Sequence, residues 1–271
     1  MKLAGEGDYM LADILKDHLP KGKFWTHPWG LVRGCAPRSS GCQNCWLVRM
    51  ARLAGDDDLL TVDRKHFNGT IRCMEEVLSA PLSKLPRKPR VWAIWSDFYH
   101  EGVSDWFRDN AFEVMSQCPS DYFLIITKRP GNAVAYLTAR HRKTVTLPNV
   151  IHLVTMETQS AAMQRLPSAA IISESGWKVG ALCEPMLSSI DLLGRGGVYL
   201  DSKGRHKRWI EYLSWVICGP ENGPGKREFD PKWAHFLHMQ AESMGAPFLY
   251  KANSGNIPGA YPVQCLEVPE I

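Results

Sequence analysis

Short apolar runs recur along the chain, each followed by a stretch with helical periodicity. They fall at residues 91–95, 122–126, 150–154, 178–182, 215–218 and 247–250. Each is about five residues long and nearly continuous in apolar character, as strands buried on both faces are. An earlier strand is expected near residues 29–32. Between the runs, residues 105–118 place Trp106, Phe107, Phe112, Val114 and Met115 largely along one helical face. Ser104 precedes them as an N-cap and Pro119 closes the segment. Residues 231–244 repeat the design with Trp233, Phe236, Leu237 and Met239, ended by Gly245. Residues 44–53 form a further expected helix. Repeated β-then-α units imply a parallel sheet. The class is α/β, and the expected architecture is a partial (β/α)6-type TIM-like barrel with mostly parallel strands.

One domain is expected over residues 1–271, with an N-terminal extension at 1–23 and insertions at 56–89 and 193–208. The first insertion carries one expected helical piece at residues 70–78. The second is Gly-rich and basic, with Arg195, Lys203, Arg205, His206, Lys207 and Arg208. It reads as a solvated hairpin, as a mobile lid or as a phosphate-contacting loop, and charge runs favour the hairpin.

In a parallel α/β sheet, chemistry gathers beyond the carboxyl ends of the strands. Here the first expected strand leads into a cysteine loop. The others lead into Ser96-Asp97, Thr127-Lys128-Arg129, Thr155-Met156-Glu157, Cys183-Glu184, Gly219-Pro220-Glu221-Asn222 and Lys251. Any one of these could be a simple cap. Together they describe the rim of a ligand pocket. The Gly-rich stretch at 219–225 lacks the Lys-Ser/Thr of a P-loop, which argues against nucleoside-triphosphate hydrolysis.

The cysteine loop runs from Gly34 to Trp46 and contains Cys35, Cys42 and Cys45 as C-x6-C-x2-C. The other cysteines, Cys73, Cys118, Cys183, Cys218 and Cys265, are scattered. The chain opens without a secretory h-region and holds no apolar run of about 20 residues, so a cytoplasmic protein with no membrane role is expected. In that compartment clustered thiols favour metal or redox work over disulfides. Zinc would need a fourth ligand, for which His18, His27 or His66 is available. Three thiolates on a four-iron cluster leave one iron open. C-x2-C serves both metals, so spacing leaves the two open. Of the 271 residues, 45% are hydrophobic and 22% charged, and the net charge is +4. That is globular composition, compatible with a nucleic-acid partner without demanding one.

Residues 34–51 resemble the cysteine signature of a phage and prophage three-cysteine protein family, itself similar to the radical S-adenosylmethionine (SAM) superfamily. Further matches are Ser96-Asp97-Phe98-Tyr99-His100-Glu101, residues 124–130, Cys183-Glu184-Pro185-Met186-Leu187, residues 219–225 and Asp230-Pro231-Lys232-Trp233. The resemblance runs from about Trp29 to Lys251. The chain departs from the superfamily's usual C-x3-C-x2-C by a six-residue first gap. It has Asn44 where an aromatic residue usually precedes the last cysteine, and Gly219-Pro220-Glu221-Asn222 where Gly-Gly-Glu-Ser is usual.

The resemblance implies a radical SAM enzyme in which Cys35, Cys42 and Cys45 hold a [4Fe–4S] cluster that cleaves SAM to a 5′-deoxyadenosyl radical. The reaction it suggests is isomerisation or hypermodification of a modified thymine base in phage DNA. The cofactor contacts it implies are Trp46, Ser96, Asp97, Thr127, Thr155, Glu157 and Glu221. Lys128 and Glu184 are the catalytic candidates it implies; Lys128 and Arg129 would neutralise the SAM carboxylate or a substrate phosphate, and Glu184, Glu221 and Lys251 would contact substrate or adenosine. An external electron donor such as flavodoxin or ferredoxin is implied as a partner. The competing expectations are a zinc protein with a structural cysteine loop and an iron–sulfur module that binds nucleic acid without cleaving SAM.

Overall fold

The computed structural model describes residues 10–83, 88–140, 145–194, 199–251 and 267–269. Seven strands form the main sheet: β1 (His27–Pro28), β2 (Val91–Ile94), β3 (Tyr122–Thr127), β4 (Val150–Thr155), β5 (Lys178–Cys183), β6 (Trp215–Cys218) and β7 (Phe248–Tyr250). Every pair is parallel and the strands lie in chain order. The sheet curls into a half-barrel with β1 and β7 as its edges.

Side chains alternate between the two faces, as a period of two requires. Phe123, Ile125, Val150, Val154, Val179, Ala181, Val216 and Cys218 point outward. There they meet α3 (Asp105–Ser116), α4 (Pro130–Arg140), α5 (Gln159–Glu174) and α6 (Pro231–Ser243). Leu124, Ile151, Leu153, Leu182, Trp215, Ile217 and Leu249 point inward. Side-chain caps start three of these helices: Ser104 accepts from Phe107 N, Thr158 from Ala161 N and Asp230 from Lys232 N. Each such cap is worth about 1 kcal/mol.

The inner face is filled from one side by α1 (Leu11–Leu15), with Leu11, Leu15, Leu19 and Phe24 buried against the inward strand residues. Residues 10–23 are therefore a plug in the half-barrel rather than an extension. The first strand also differs from expectation. Trp29 and Leu31 are buried, but the sheet pairing is made by His27 and Pro28, and the chain then turns away. The expected helix at 70–78 is instead a strand pair, Val32–Arg33 against Arg72–Cys73, followed by a 3-10 turn at Glu75–Val77. Asp56 sits between Arg33 and Arg72 at 3.2 and 3.0 Å and locks the pairing, a tertiary contact that overrides local propensity.

α2 (Trp46–Ala54) follows the cysteine loop and ends at Gly55, whose φ of 75° is the left-handed turn that glycine permits. Its buried side, Val48 and Ala51, packs on Leu59, Leu60 and Phe67 to make a small separate core that also touches Cys35 and Cys45. The second insertion is a hairpin, Tyr199–Leu200 against His206–Lys207, with exposed basic residues. Ser202 N donates to Glu174, the last residue of α5, while the first residue of α5 lies at the carboxyl end of the sheet. The hairpin thus sits at the opposite end from the strand-end rim, which excludes a lid over that rim. Arg195 and Cys265 lie outside the described residues. Among those described, no helix is long and apolar enough to cross a membrane.

Candidate functional site: a thiol loop over the open half-barrel

The alternation puts Thr155, at the end of β4, and Trp95, Lys128, Glu184 and Lys251, one residue past β2, β3, β5 and β7, on the inner rim. They line a cavity of about 900 Å3 together with Ser96, Asp97, Thr127 and Glu221. The cysteine loop forms its roof, and Cys35, Cys42, Cys45 and Trp46 all line the same cavity. A profile of the family described as Protein of unknown function (DUF5131) matches residues 21–260. The chain belongs to that family. No curated protein and no solved structure matches it. The span shared with DUF5131 takes in the loop and every strand end, whereas α1 lies before it.

The rim residues divide into two groups. Lys128 and Thr155 stand beside each other one step beyond the paired Thr127 and Val154. The Thr155 hydroxyl is buried without a partner, and the Lys128 ammonium forms no ion pair among the described residues. A buried hydroxyl without a partner is costly, and a ligand oxygen would relieve it. Across the cavity, Lys251 Nζ meets Glu184 Oε1 at 2.6 Å, and Asn222 donates to the same oxygen at 3.1 Å. Ser96 and Asp97 have φ of 62° and 47°, a left-handed backbone that non-glycine residues hold only where surrounding contacts impose it.

The strand-end acids form the second group, and their carboxylates are already occupied. Asp97 accepts from Thr127 Oγ1 at 2.7 Å, Lys128 N at 3.2 Å and Arg129 Nη1 at 2.8 Å. Glu157 meets Arg165 Nη1 at 2.6 Å and accepts from Ser39 Oγ. Glu221 accepts from Arg227 N and Nε, both at 2.9 Å, from Arg227 Nη2, and from Asn44 Nδ2 at 3.0 Å. Of the residues expected as SAM contacts, Asp97 and Glu221 line the cavity with their carboxylates paired to arginines. Glu157 is wholly buried and does not line the cavity. Burial alone would raise its pKa, but Arg165, Lys128 and Ser39 outweigh burial and hold it below the usual carboxylate range. Arg129 is likewise not free for a ligand anion. Its buried guanidinium also pairs with Glu101 at 3.0 Å and donates to Ala36 O at 3.2 Å.

Two of the three thiols have an N–H donor at their sulfur. Arg129 Nη1 reaches Cys35 Sγ at 3.9 Å, and Arg38 N reaches Cys42 Sγ at 3.4 Å. Cys45 is the N-cap of α2 and its sulfur accepts no cap hydrogen bond, but the nearby backbone N–H groups of Leu47 and Val48 favour its thiolate. Burial pushes Cys35 up to about 11, with Asp97 adding to the rise and Arg129 opposing it. Burial also raises Cys45, against Lys128 and the two backbone donors. Metal-free, Cys35 and Cys45 keep their protons, and a bound metal would displace them. N–H donors aimed at sulfur suit thiolate ligands, so the donor set fits a thiolate-held metal centre. As they stand, no three or more His, Cys, Asp or Glu side chains among the described residues converge on a single ion. His18, His27 and His66, the available fourth ligands for zinc, do not line the cavity.

The sequence did not single out Arg165, Arg227, Ser39 and Asn44. One signal was present. Arg165 lies on the buried stripe of α5 with Ala161, Ala162, Leu166 and Ala169, where a charge demands a partner. The exposed apolar stripe of α2 was also missed. Trp46, Met50 and Leu53 are 47%, 51% and 72% exposed at positions i, i+4 and i+7. Trp46 stands edge-on to Trp95 at 5.2 Å, and Trp95 edge-on to Trp25 at 5.0 Å.

Proposed function

We propose that this protein is a radical SAM enzyme, with Cys35, Cys42 and Cys45 holding a [4Fe–4S] cluster. One observation carries the reading: three thiols, two of them met by an N–H donor, roof a cavity at the carboxyl ends of a parallel half-barrel. When bound, the cluster supplies the electron that splits SAM into methionine and a 5′-deoxyadenosyl radical. The chain's own part is to bind, orient and exclude water. Lys128 and the Thr155 hydroxyl take a carboxylate or phosphate oxygen of the bound ligand. Glu184, held by Lys251 and Asn222, faces the ligand from the other wall and accepts from its amine or hydroxyl groups. Trp46 gives the mouth a flat apolar surface.

The substrate in this proposal is a modified thymine base in phage DNA, undergoing isomerisation or hypermodification. Its support is the motif resemblance and the half-exposed Trp46, on which a base can stack. The basic hairpin adds nothing to it, because it lies at the other end of the sheet. The electron comes from an external carrier such as flavodoxin or ferredoxin.

Anaerobic reconstitution with iron and sulfide tests the reading. A brown protein that bleaches with dithionite and releases 5′-deoxyadenosine from SAM is expected, and Cys42→Ala should abolish both. Colourless protein with stoichiometric zinc would rule the proposal out. A brown protein that leaves SAM intact would leave only the iron–sulfur nucleic-acid module.

A further inference from the structure

Three acid–arginine pairs stand at alternate strand ends, beyond β2, β4 and β6, and each reaches the cysteine loop at a different point. Beyond β2, Asp97 holds Arg129, which donates to Ala36 O at 3.2 Å and touches Cys35 Sγ. Beyond β4, Arg165 holds Glu157, which accepts from Ser39. Beyond β6, Glu221 and Arg227 are joined. Arg227 donates to Ser40 O at 3.0 Å, and Asn44 bridges Glu221 to Gly225 O at 3.0 and 2.9 Å. The carboxylates of all three pairs are buried. A buried carboxylate–guanidinium pair held by several hydrogen bonds is a rigid support, because breaking it strands a charge away from water.

We infer that these pairs are positioning residues that seat the thiol loop before any metal arrives, one tie for each part of the loop. The Asp97–Arg129 tie fixes the arm of Cys35. The Glu157 tie fixes the turn that enters Cys42. The Glu221–Arg227 tie, through Ser40 and Asn44, fixes the arm of Cys42 and Cys45. Two close approaches agree. A Cβ on Gly41 would lie 2.9 Å from the Glu157 side chain, so the loop rests directly on that carboxylate. Gly69 N donates to Cys35 O at 3.0 Å, which holds the loop's other flank. The inference concerns the loop whose cysteines the proposed function assigns to the cluster, but its test needs no metal.

The test is site-resolved alkylation of the full-length, chelator-treated, reduced protein with iodoacetamide, read cysteine by cysteine by mass spectrometry. Asn44→Ala and Ser39→Ala remove only the loop side of a tie and leave the buried pair intact. Arg129→Lys keeps the charge and loses the fork. Losing a charge-assisted hydrogen bond is expected to speed local opening on the order of tenfold or more. Asn44→Ala should accelerate Cys45 and Cys42 and spare Cys35. Ser39→Ala should accelerate Cys42. Arg129→Lys should accelerate Cys35 and spare Cys45. Acceleration of all three together with the core cysteines Cys118, Cys183 and Cys218 would mean the pairs only hold up the fold. Unchanged rates in all three variants would overturn the inference outright. If the wild-type protein assembles no cluster, the proposed function fails while this result stands.

Discussion

Gly34→Ala is the sharpest test of how tightly the thiol loop is seated. Gly34 precedes Cys35 and has φ of 83°, a region where a Cβ costs roughly 1–2 kcal/mol. A Cβ there would fall 2.0 Å from Thr70 O and 3.1 Å from Thr70 C. Both atoms are backbone, so no side chain can swing aside. Relieving such an overlap costs roughly a further 1–3 kcal/mol. The expected loss is therefore about 2–5 kcal/mol, the sum of the two terms. Gly55→Ala is the control, since Gly55 has φ of 75° and nothing within 4 Å of its virtual Cβ. It carries the conformational cost without the clash. Urea unfolding of both variants against wild type separates the terms. If Gly34→Ala costs no more than Gly55→Ala within about 0.5 kcal/mol, the close approach to Thr70 is not a constraint and the argument for a fixed seat fails.

Other outcomes follow from the same geometry. Gly41→Ala should destabilise by roughly 1–3 kcal/mol, because Glu157 is pinned by Arg165 and cannot yield; a neutral result in thermal unfolding would show that the carboxylate has room. His152 is buried beside Tyr99 Oη at 2.8 Å, and burial lowers its pKa to about 4. The unfolded chain then binds a proton that the folded one refuses, so stability should fall as pH drops from about 6.5 towards about 4. Replacing His152 with Gln should flatten that slope in denaturant titrations across the interval. Lys128→Gln should weaken binding of a ligand held through its carboxylate by roughly ten- to a hundredfold, measured by calorimetry with SAM, whose one carboxylate is the group Lys128 would hold. Lys203→Gln, in the distant hairpin, should alter neither SAM binding nor stability, the latter held within about 0.5 kcal/mol.

The sheet was legible in the sequence because its strands are buried on both faces, so each strand from β2 to β7 appears as a compact apolar run. β1 has only two residues and no pattern to read, and its neighbours Trp29 and Leu31 are buried for other reasons. The pairing of Val32–Arg33 with Arg72–Cys73 depends on Asp56, which no local window contains. The rim was legible as a set: alternation carries inward-facing apolar residues directly into Lys128, Thr155, Glu184 and Lys251. What the rim acids do was not legible. A carboxylate after a strand looks the same in sequence whether it awaits a ligand or already holds an arginine. For Asp97 the partner is thirty-two residues downstream, for Glu157 eight and for Glu221 six.

The plug formed by α1 has a consequence for the order in which the molecule can be built. Leu11, Leu15 and Leu19 leave the ribosome before every strand of the sheet, yet the inner surface they cover includes Trp215, Ile217 and Leu249, which follow the other strands. The amino-terminal segment must therefore wait, with its apolar side uncovered, until β6 and β7 have been made. The outer helices meet their strands as soon as each β-then-α unit is complete, but the inner core closes in a late step that joins α1 to β6 and β7.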